Sequence, residues 1–439
     1  MFSAGWATVN ITPPLGVALA GYYVSEGRTA GASEVFDELH AKALVLEHDD
    51  GPVVLVTTDL IGMPDSFFAE AVTTVSKRTG IPAESIILTA SHNHSGPMID
   101  TLPEGHNLFA GVLDFEYRTV LMRKLASAVE LAQRRACPAR FGFARTQSDI
   151  NVVRRQRDAE GRFKPLPYLG QNWEAPVDRT VAVLGFENSM GERAIVVNYA
   201  CHAVVLGPNI EISSDYPGAM QRFAERALGA DTTVMFTNGA EGDSNPIIHP
   251  GTREDAERLG RRLGSVVIEA VERLQPEDVQ ILRQKRALVS LPLRQRPSLA
   301  QEAELLEHLN QESRAARAER AEGLLQCEMD HSVLLLRHLR RKGCGHSIEA
   351  EIAALRINDT VMVTIPGELF NALGREVIDA TKGVSTVLMG LANGHVGYLP
   401  NAAAYEEGGF EVEATALAPG AGETLRDNLI ALVQGLAIT

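Results

Sequence analysis

Cysteine is scarce and scattered. Only Cys137, Cys201, Cys327 and Cys344 occur, widely spaced and without a C-x-x-C pair. That excludes a disulfide framework and a thiolate zinc cage and leaves reduced, mostly buried thiols as the expectation. Positive charge is also in deficit, with 41 Lys and Arg against 56 Asp and Glu and a formal net charge of −15. Nucleic acid or an anionic membrane surface would call for the opposite sign, and the basic piece Arg154-Arg155-Gln156-Arg157 is too local to reverse the balance. No apolar run approaches the ~18 residues needed to span a bilayer. The amino terminus, Met1-Phe-Ser-Ala-Gly-Trp6, has no basic region followed by an apolar one, so no signal peptide is expected. These absences point to a cytoplasmic protein with neither a nucleic-acid nor a membrane partner.

What is present is an ordinary globular composition, 45% hydrophobic and 22% charged over 439 residues. Without internal repeats or low-complexity linkers, one domain over 1–439 with inserted elements fits better than two joined units. Residues 1 to 30, rich in Gly and Pro, read as turns. Strands are expected at Ala41 to Glu47 and Pro52 to Thr57, paired about Asp49-Asp50-Gly51. Further strands are expected at 85 to 90, Ala139 to Ala144, Thr180 to Phe186, Ala194 to Tyr199, Thr233 to Phe236, Ile348 to Ile357, Val361 to Ile365 and Thr386 to Leu391. Helical patterns fall at Ser66 to Thr79, Asp114 to Arg135, Ala219 to Leu228, Arg253 to Leu274, Leu369 to Ala380 and Glu423 to Leu436. This alternation implies an α/β fold, a central mixed β-sheet or sheets flanked by helices. A polar loop over 149 to 176 is long enough to be functional or mobile. The charged stretch at 299–341 reads as a helical insertion on the outside.

Chemistry gathers where apolar runs end. Thr89-Ala-Ser-His-Asn-His-Ser-Gly-Pro97 follows Ile86-Ile87-Leu88, and in extended backbone His92 and His94 project to one side. One imidazole suits a metal and the other a proton, although a pair alone is equally compatible with ordinary polar residues at a strand end. His202 follows Ile195 to Cys201, Asn238 to Pro246 follows Val234-Met235-Phe236, Glu368 follows Val361 to Gly367, and Asn393 to Tyr398 follows Val387 to Ala392. Ligands collect at the carboxyl ends of strands in α/β sheets. If these ends converge, His92, His202 and Glu368 offer two imidazoles and a carboxylate, a set suited to catalytic zinc with open positions. Zinc there would make water acidic near neutral pH, and His94 would accept the proton and return it to a leaving group.

Over nearly the whole chain, from Ala7-Thr-Val-Asn-Ile-Thr-Pro-Pro14 to Tyr405-Glu-Glu-Gly-Gly-Phe-Glu411, the sequence resembles the amino-terminal catalytic domain of the neutral, non-lysosomal ceramidases. Those are zinc-dependent amidases that cleave the N-acyl bond of ceramide. Ser91-His-Asn-His-Ser-Gly-Pro97 is the most specific piece, supported by Ile365-Pro-Gly-Glu368 and Asn393-Gly-His-Val-Gly-Tyr-Leu-Pro400. The resemblance implies His92, His202, Glu368 and Tyr398 as zinc ligands and His94 as proton acceptor. Tyr398 enters on the resemblance alone, because a phenol is a poor ligand until a cation stabilises its oxygen.

Three departures bear on the substrate. The family's Gly-Asp-x-Ser-Pro reads Gly242-Asp243-Ser244-Asn245-Pro246, so Asn245 takes the serine's place and Ser244 falls one residue early. An asparagine amide holds a carbonyl or phosphate-like oxygen but is no hydroxyl nucleophile. Phe410 replaces the family's later tyrosine, and the family's carboxy-terminal immunoglobulin-like domain and secretion signal have no counterpart. Arg154 and Arg155 lie where the family contacts substrate; either is a carboxylate clamp or a solvated loop charge.

The expectation is therefore a cytoplasmic zinc hydrolase that cleaves the amide bond of a small polar N-acyl substrate, with Asn245 and Tyr398 stabilising the oxyanion. Ser244, Asn245, Phe410 and the two arginines would line the substrate. The rivals are an esterase or lactonase at the same zinc, a binding protein without turnover, and a metal-free serine hydrolase using Ser244, which lacks a Gly-x-Ser-x-Gly elbow.

Overall fold

The computed structural model describes residues 2–22, 31–100, 113–157, 170–294 and 346–437. Eight strands form the larger sheet: β1 Ser3–Asn10, β2 His40–His48, β3 Gly51–Thr58, β4 Ile86–Ala90, β5 Cys137–Gln147, β6 Thr180–Asn188, β7 Arg193–Tyr199 and β8 Thr232–Asn238. They lie in the order β8-β7-β6-β5-β1-β2-β3-β4. The outer pairs β3/β4 and β7/β8 are parallel and the pairs between them antiparallel, so the sheet is mixed. A second sheet orders β9 Leu282–Pro292, β10 Ser347–Ile357, β11 Thr360–Thr364 and β12 Ser385–Met389, with β11/β12 parallel.

The two-residue period of the strands decides the layers. On β2, Ala41, Ala43 and Val45 face α1 Asp65–Thr79 and α2 Phe115–Arg134, while Leu44 and Leu46 face the second sheet. The core between the sheets joins Trp6, Leu44, Leu55, Ile87, Phe186 and Met235 of the large one to Leu282, Leu355, Met362, Val387 and Met389 of the small one. α3 Asp215–Leu228 and α4 Arg253–Val271 cover the β6–β8 region. α5 Asn371–Ala380 and α6 Ala421–Ala437 cover the outer face of the small sheet. The result is four layers, helices, large sheet, small sheet and helices, in agreement with the expected α/β class of mixed sheets flanked by helices.

Two strands depart from the reading of the sequence. Ser3–Asn10, expected as turn, pairs with all of His40–Glu47 in the large sheet. Its small residues carry little β preference, but they let α2 press against it: a Cβ on Gly5 would lie 2.5 Å from the Ala136 nitrogen. β9, for which no strand was expected, carries the polar run Arg283-Gln-Lys-Arg286, which breaks any apolar alternation, and only Leu282, Val289 and Leu291 of it are buried. The helical insertion expected at 299–341 lies outside the described residues, as does the part of the polar loop from 158 to 169.

Candidate metal centre

Several strands deliver their carboxyl ends to one place. β4 leads to Ser91 and His92, β7 to His202, β8 to Asn238, β11 to Glu368 and β12 to Asn393. His92 Nε2, His202 Nε2 and a Glu368 oxygen all lie within 4.8 Å of one another and are buried. Glu368 Oε2 sits 3.1 Å from His202 Nε2 and 3.4 Å from His92 Nε2.

The far side of each ring fixes what the near side offers. His92 Nδ1 is 2.7 Å from the Ile61 carbonyl, and His202 Nδ1 is 2.9 Å from that of Glu241 and 3.1 Å from that of Ser244. A carbonyl only accepts, so both rings donate from Nδ1 and turn the Nε2 lone pair inward. Two nitrogen lone pairs and a carboxylate thus converge on one point, a donor set that fits a divalent metal. Two further nitrogens border the same point: His94 Nε2 is 3.1 Å from His92 Nε2, and Arg154 Nη1 is 3.1 Å from His202 Nε2. Burial, followed by the Arg154 charge, pulls His202 down to about 3, so its ring is neutral. Burial alone would raise Glu368, but the neighbouring imidazoles of His92, His202 and His395 outweigh it and hold the carboxyl well below its usual range.

His92 is not in extended backbone, as the i and i+2 reading requires. Its φ is +60°, a left-handed conformation uncommon for any residue but glycine. The two rings meet all the same, edge to face, with centroids 4.6 Å apart.

Tyr398 is brought in by a two-residue strand pair, Glu368–Leu369 with Tyr398–Leu399, in which Glu368 and Tyr398 are direct partners. Burial and then the Glu368 charge push its phenol well above 10. Phe410 stacks edge-on against it at 5.5 Å.

Arg154 and Arg155 are buried rather than solvated. The pair Asn151–Val153 with Ser244–Pro246 carries Arg154 to the centre. There its Nε donates to Glu411 Oε1 (2.7 Å), its Nη1 to Asn245 Oδ1 (3.2 Å) and its Nη2 to the Gly242 carbonyl (3.0 Å). Arg155 is directed elsewhere, to Glu411 Oε2 at 2.8 Å and the Gly408 carbonyl at 2.8 Å. Ser244 donates to the Ala200 carbonyl at 3.2 Å, whereas Asn245, on the opposite side of the short strand, meets Arg154. The structure thus gathers His92, His94, His202, Glu368, Tyr398, Asn245 and Arg154, with Phe410 behind them, and leaves Ser244 and Arg155 facing other partners.

Two residues at the centre had no assigned role in the sequence. His395 Nε2 lies 3.3 Å from Glu368 Oε1, and Glu411 joins both arginines. Each falls within a quoted segment, Asn393 to Pro400 or Tyr405 to Glu411, so position after an apolar run was a usable signal for His395.

No protein-family model and no curated protein matches the chain. Solved ceramidase structures are similar to it. The neutral ceramidase from Pseudomonas aeruginosa superposes with a TM-score of 0.75 at 18% identity, over 100% of this chain and 74% of that one. A ceramidase complexed with C2 gives 0.75 at 16% identity, over 99% and 75%. Identity this low carries the likeness of backbone alone: the chain has the fold of the neutral ceramidases.

Proposed function

We propose that the chain is a zinc-dependent hydrolase that cleaves the amide bond of a small polar N-acyl substrate in the cytoplasm. The observation that carries this reading is the convergence of His92 Nε2, His202 Nε2 and Glu368, with both Nδ1 atoms committed to carbonyls. The ceramidase fold supports it. Among the described residues no helix is long and apolar enough to cross a membrane.

His92, His202 and Glu368 would hold the metal, with Tyr398 beside them. When bound there, the metal acidifies water and polarises the substrate carbonyl. His94, 3.1 Å from His92, takes the proton from the attacking water and later passes it to the departing amine nitrogen, so each turnover returns it to its starting state. Asn245, whose Oδ1 accepts from Arg154, would use its amide N–H together with the Tyr398 hydroxyl to hold the developing oxyanion. Arg154 positions Asn245, and Phe410 supplies an apolar wall.

Elemental analysis of the wild type beside Glu368→Ala, followed by matched N-acyl and ester substrates with and without chelator, tests the reading. About one zinc per wild-type chain, a sharp loss in the variant and chelator-sensitive amide cleavage are expected. Full activity after complete metal removal would overturn it.

A further inference from the structure

Behind the metal centre lies a second polar cluster that the proposed chemistry does not use. Glu241 is fully buried, and neither of its carboxyl oxygens has a hydrogen-bond partner. Asn238 Oδ1 and Ser91 Oγ are likewise buried without partners. The three residues are drawn together at adjoining strand ends. Asn238 Nδ2 donates to the Ser91 carbonyl at 2.8 Å, and the Asn238 carbonyl accepts from Gly390 N at 2.9 Å. Glu241 packs against Gly390 so closely that a Cβ there would lie 2.7 Å from Glu241 Oε2. The missing side chain at Gly390 is what leaves room for the carboxylate.

An ionised Glu241 carboxyl requires a positive partner, and among the described residues no side chain supplies one by hydrogen bond or ion pair. All four unmatched atoms, two from the carboxylate, one amide oxygen and one hydroxyl, are hard oxygen donors. Native interiors seldom leave such atoms unmatched, and this set suits a calcium-like cation completed by water, not zinc.

We infer that Glu241, Asn238 and Ser91 form a second cation site, distinct from the His92–His202–Glu368 centre and selective for a hard, oxygen-liganded ion such as calcium. The Glu241 main chain ties the two sites together, since its carbonyl accepts from His202 Nδ1. Occupancy of the second site therefore braces a ligand of the first.

The test uses the whole 439-residue chain saturated with zinc, titrated with calcium chloride and followed by calorimetry and by melting temperature. Magnesium chloride and sodium chloride serve as comparisons. One calcium per chain and a higher melting temperature are expected; Glu241→Gln should abolish both, and Ser91→Ala should weaken calcium binding about tenfold. Should Glu241→Gln fail to fold, Ser91→Ala and the wild-type stoichiometry still decide. The proposal is overturned if the zinc-loaded wild type takes up none of the three cations, or if the calcium response persists undiminished in Glu241→Gln or in Ser91→Ala. A chain that bound no zinc yet kept the calcium response would leave this site standing and sink the hydrolytic reading.

Discussion

Each imidazole of the centre is committed by its far nitrogen, and this makes the ligands hard to replace. The left-handed backbone at His92 adds a second constraint, because asparagine tolerates that conformation and β-branched residues do not. In the presence of chelator, His92→Asn should stay within ~1 kcal/mol of wild-type stability, whereas His92→Val should lose roughly 1–3 kcal/mol; urea unfolding separates the two. Arg154 and Glu411 form a buried pair at 2.7 Å. Arg154→Met strands part of that charge and is expected to cost about 3–5 kcal/mol, again read by urea unfolding.

Asp59 offers a pH signature outside the centre. Burial, opposed by the hydrogen bond from the His40 amide, raises its carboxyl to about 6 from 3.8. The folded state therefore keeps a proton that the unfolded chain has already released, and stability falls as pH rises from about 4 to about 6. The penalty is fully present above that window and absent below it. Asp59→Asn removes it, so the variant should gain on the wild type across pH 4 to 6, by up to ~3 kcal/mol, and hold that margin above; chemical denaturation at stepped pH checks the curve. Residues such as His92, His202 and Glu368 were legible in the sequence because each follows an apolar run. Arg154 was ambiguous, since burial of a loop arginine depends on the distant Glu411. Glu241 shares the position after an apolar run, but what sets it apart is a buried carboxyl without a hydrogen-bond partner, which only the structure shows.

At the scale of elements, helix contact overrides helix propensity. α3 and α4 approach so closely that a Cβ on Gly260 would lie 2.5 Å from Ala219 Cβ and 2.8 Å from Met220 N. Alanine for glycine in a helix normally gains about 1 kcal/mol. Here a backbone atom would have to move, and overpacking costs roughly 1–3 kcal/mol, so Gly260→Ala should lower the melting temperature. The helices and most strands were readable from periodicity and capping chemistry. Thr252, for example, starts α4 with a full capping box to Asp255. The start of α3 was less readable: it begins at Asp215, with φ of +52°, four residues before the apolar pattern starts. β1 escaped because it lies in a stretch rich in Gly and Pro that reads as turn, and what makes it a strand is two neighbours and a helix laid over Gly5.

For the whole molecule, the ligands come from both sheets: His92 and His202 follow strands of the larger, Glu368 follows a strand of the smaller. A metal held by all three fastens one sheet to the other. Excess metal at about a thousand times its dissociation constant should add ~4 kcal/mol to unfolding, and chelation should remove it. That difference should shrink to near zero in Glu368→Ala, as read by paired melts. The α/β class and the strand ends were open to sequence reading; that two sheets would share one core was not, because alternation says that a strand has two faces but not what each will meet.

The seam between the sheets also sets an order in time. No short stretch of chain contains two of the three ligands, so no hairpin or early cluster can capture the metal. In refolding, a colour-reporting ion such as cobalt should acquire its bound spectrum only with the slowest phase, after helical signal has returned. The centre would then serve as a clock stamp for completion of the fold.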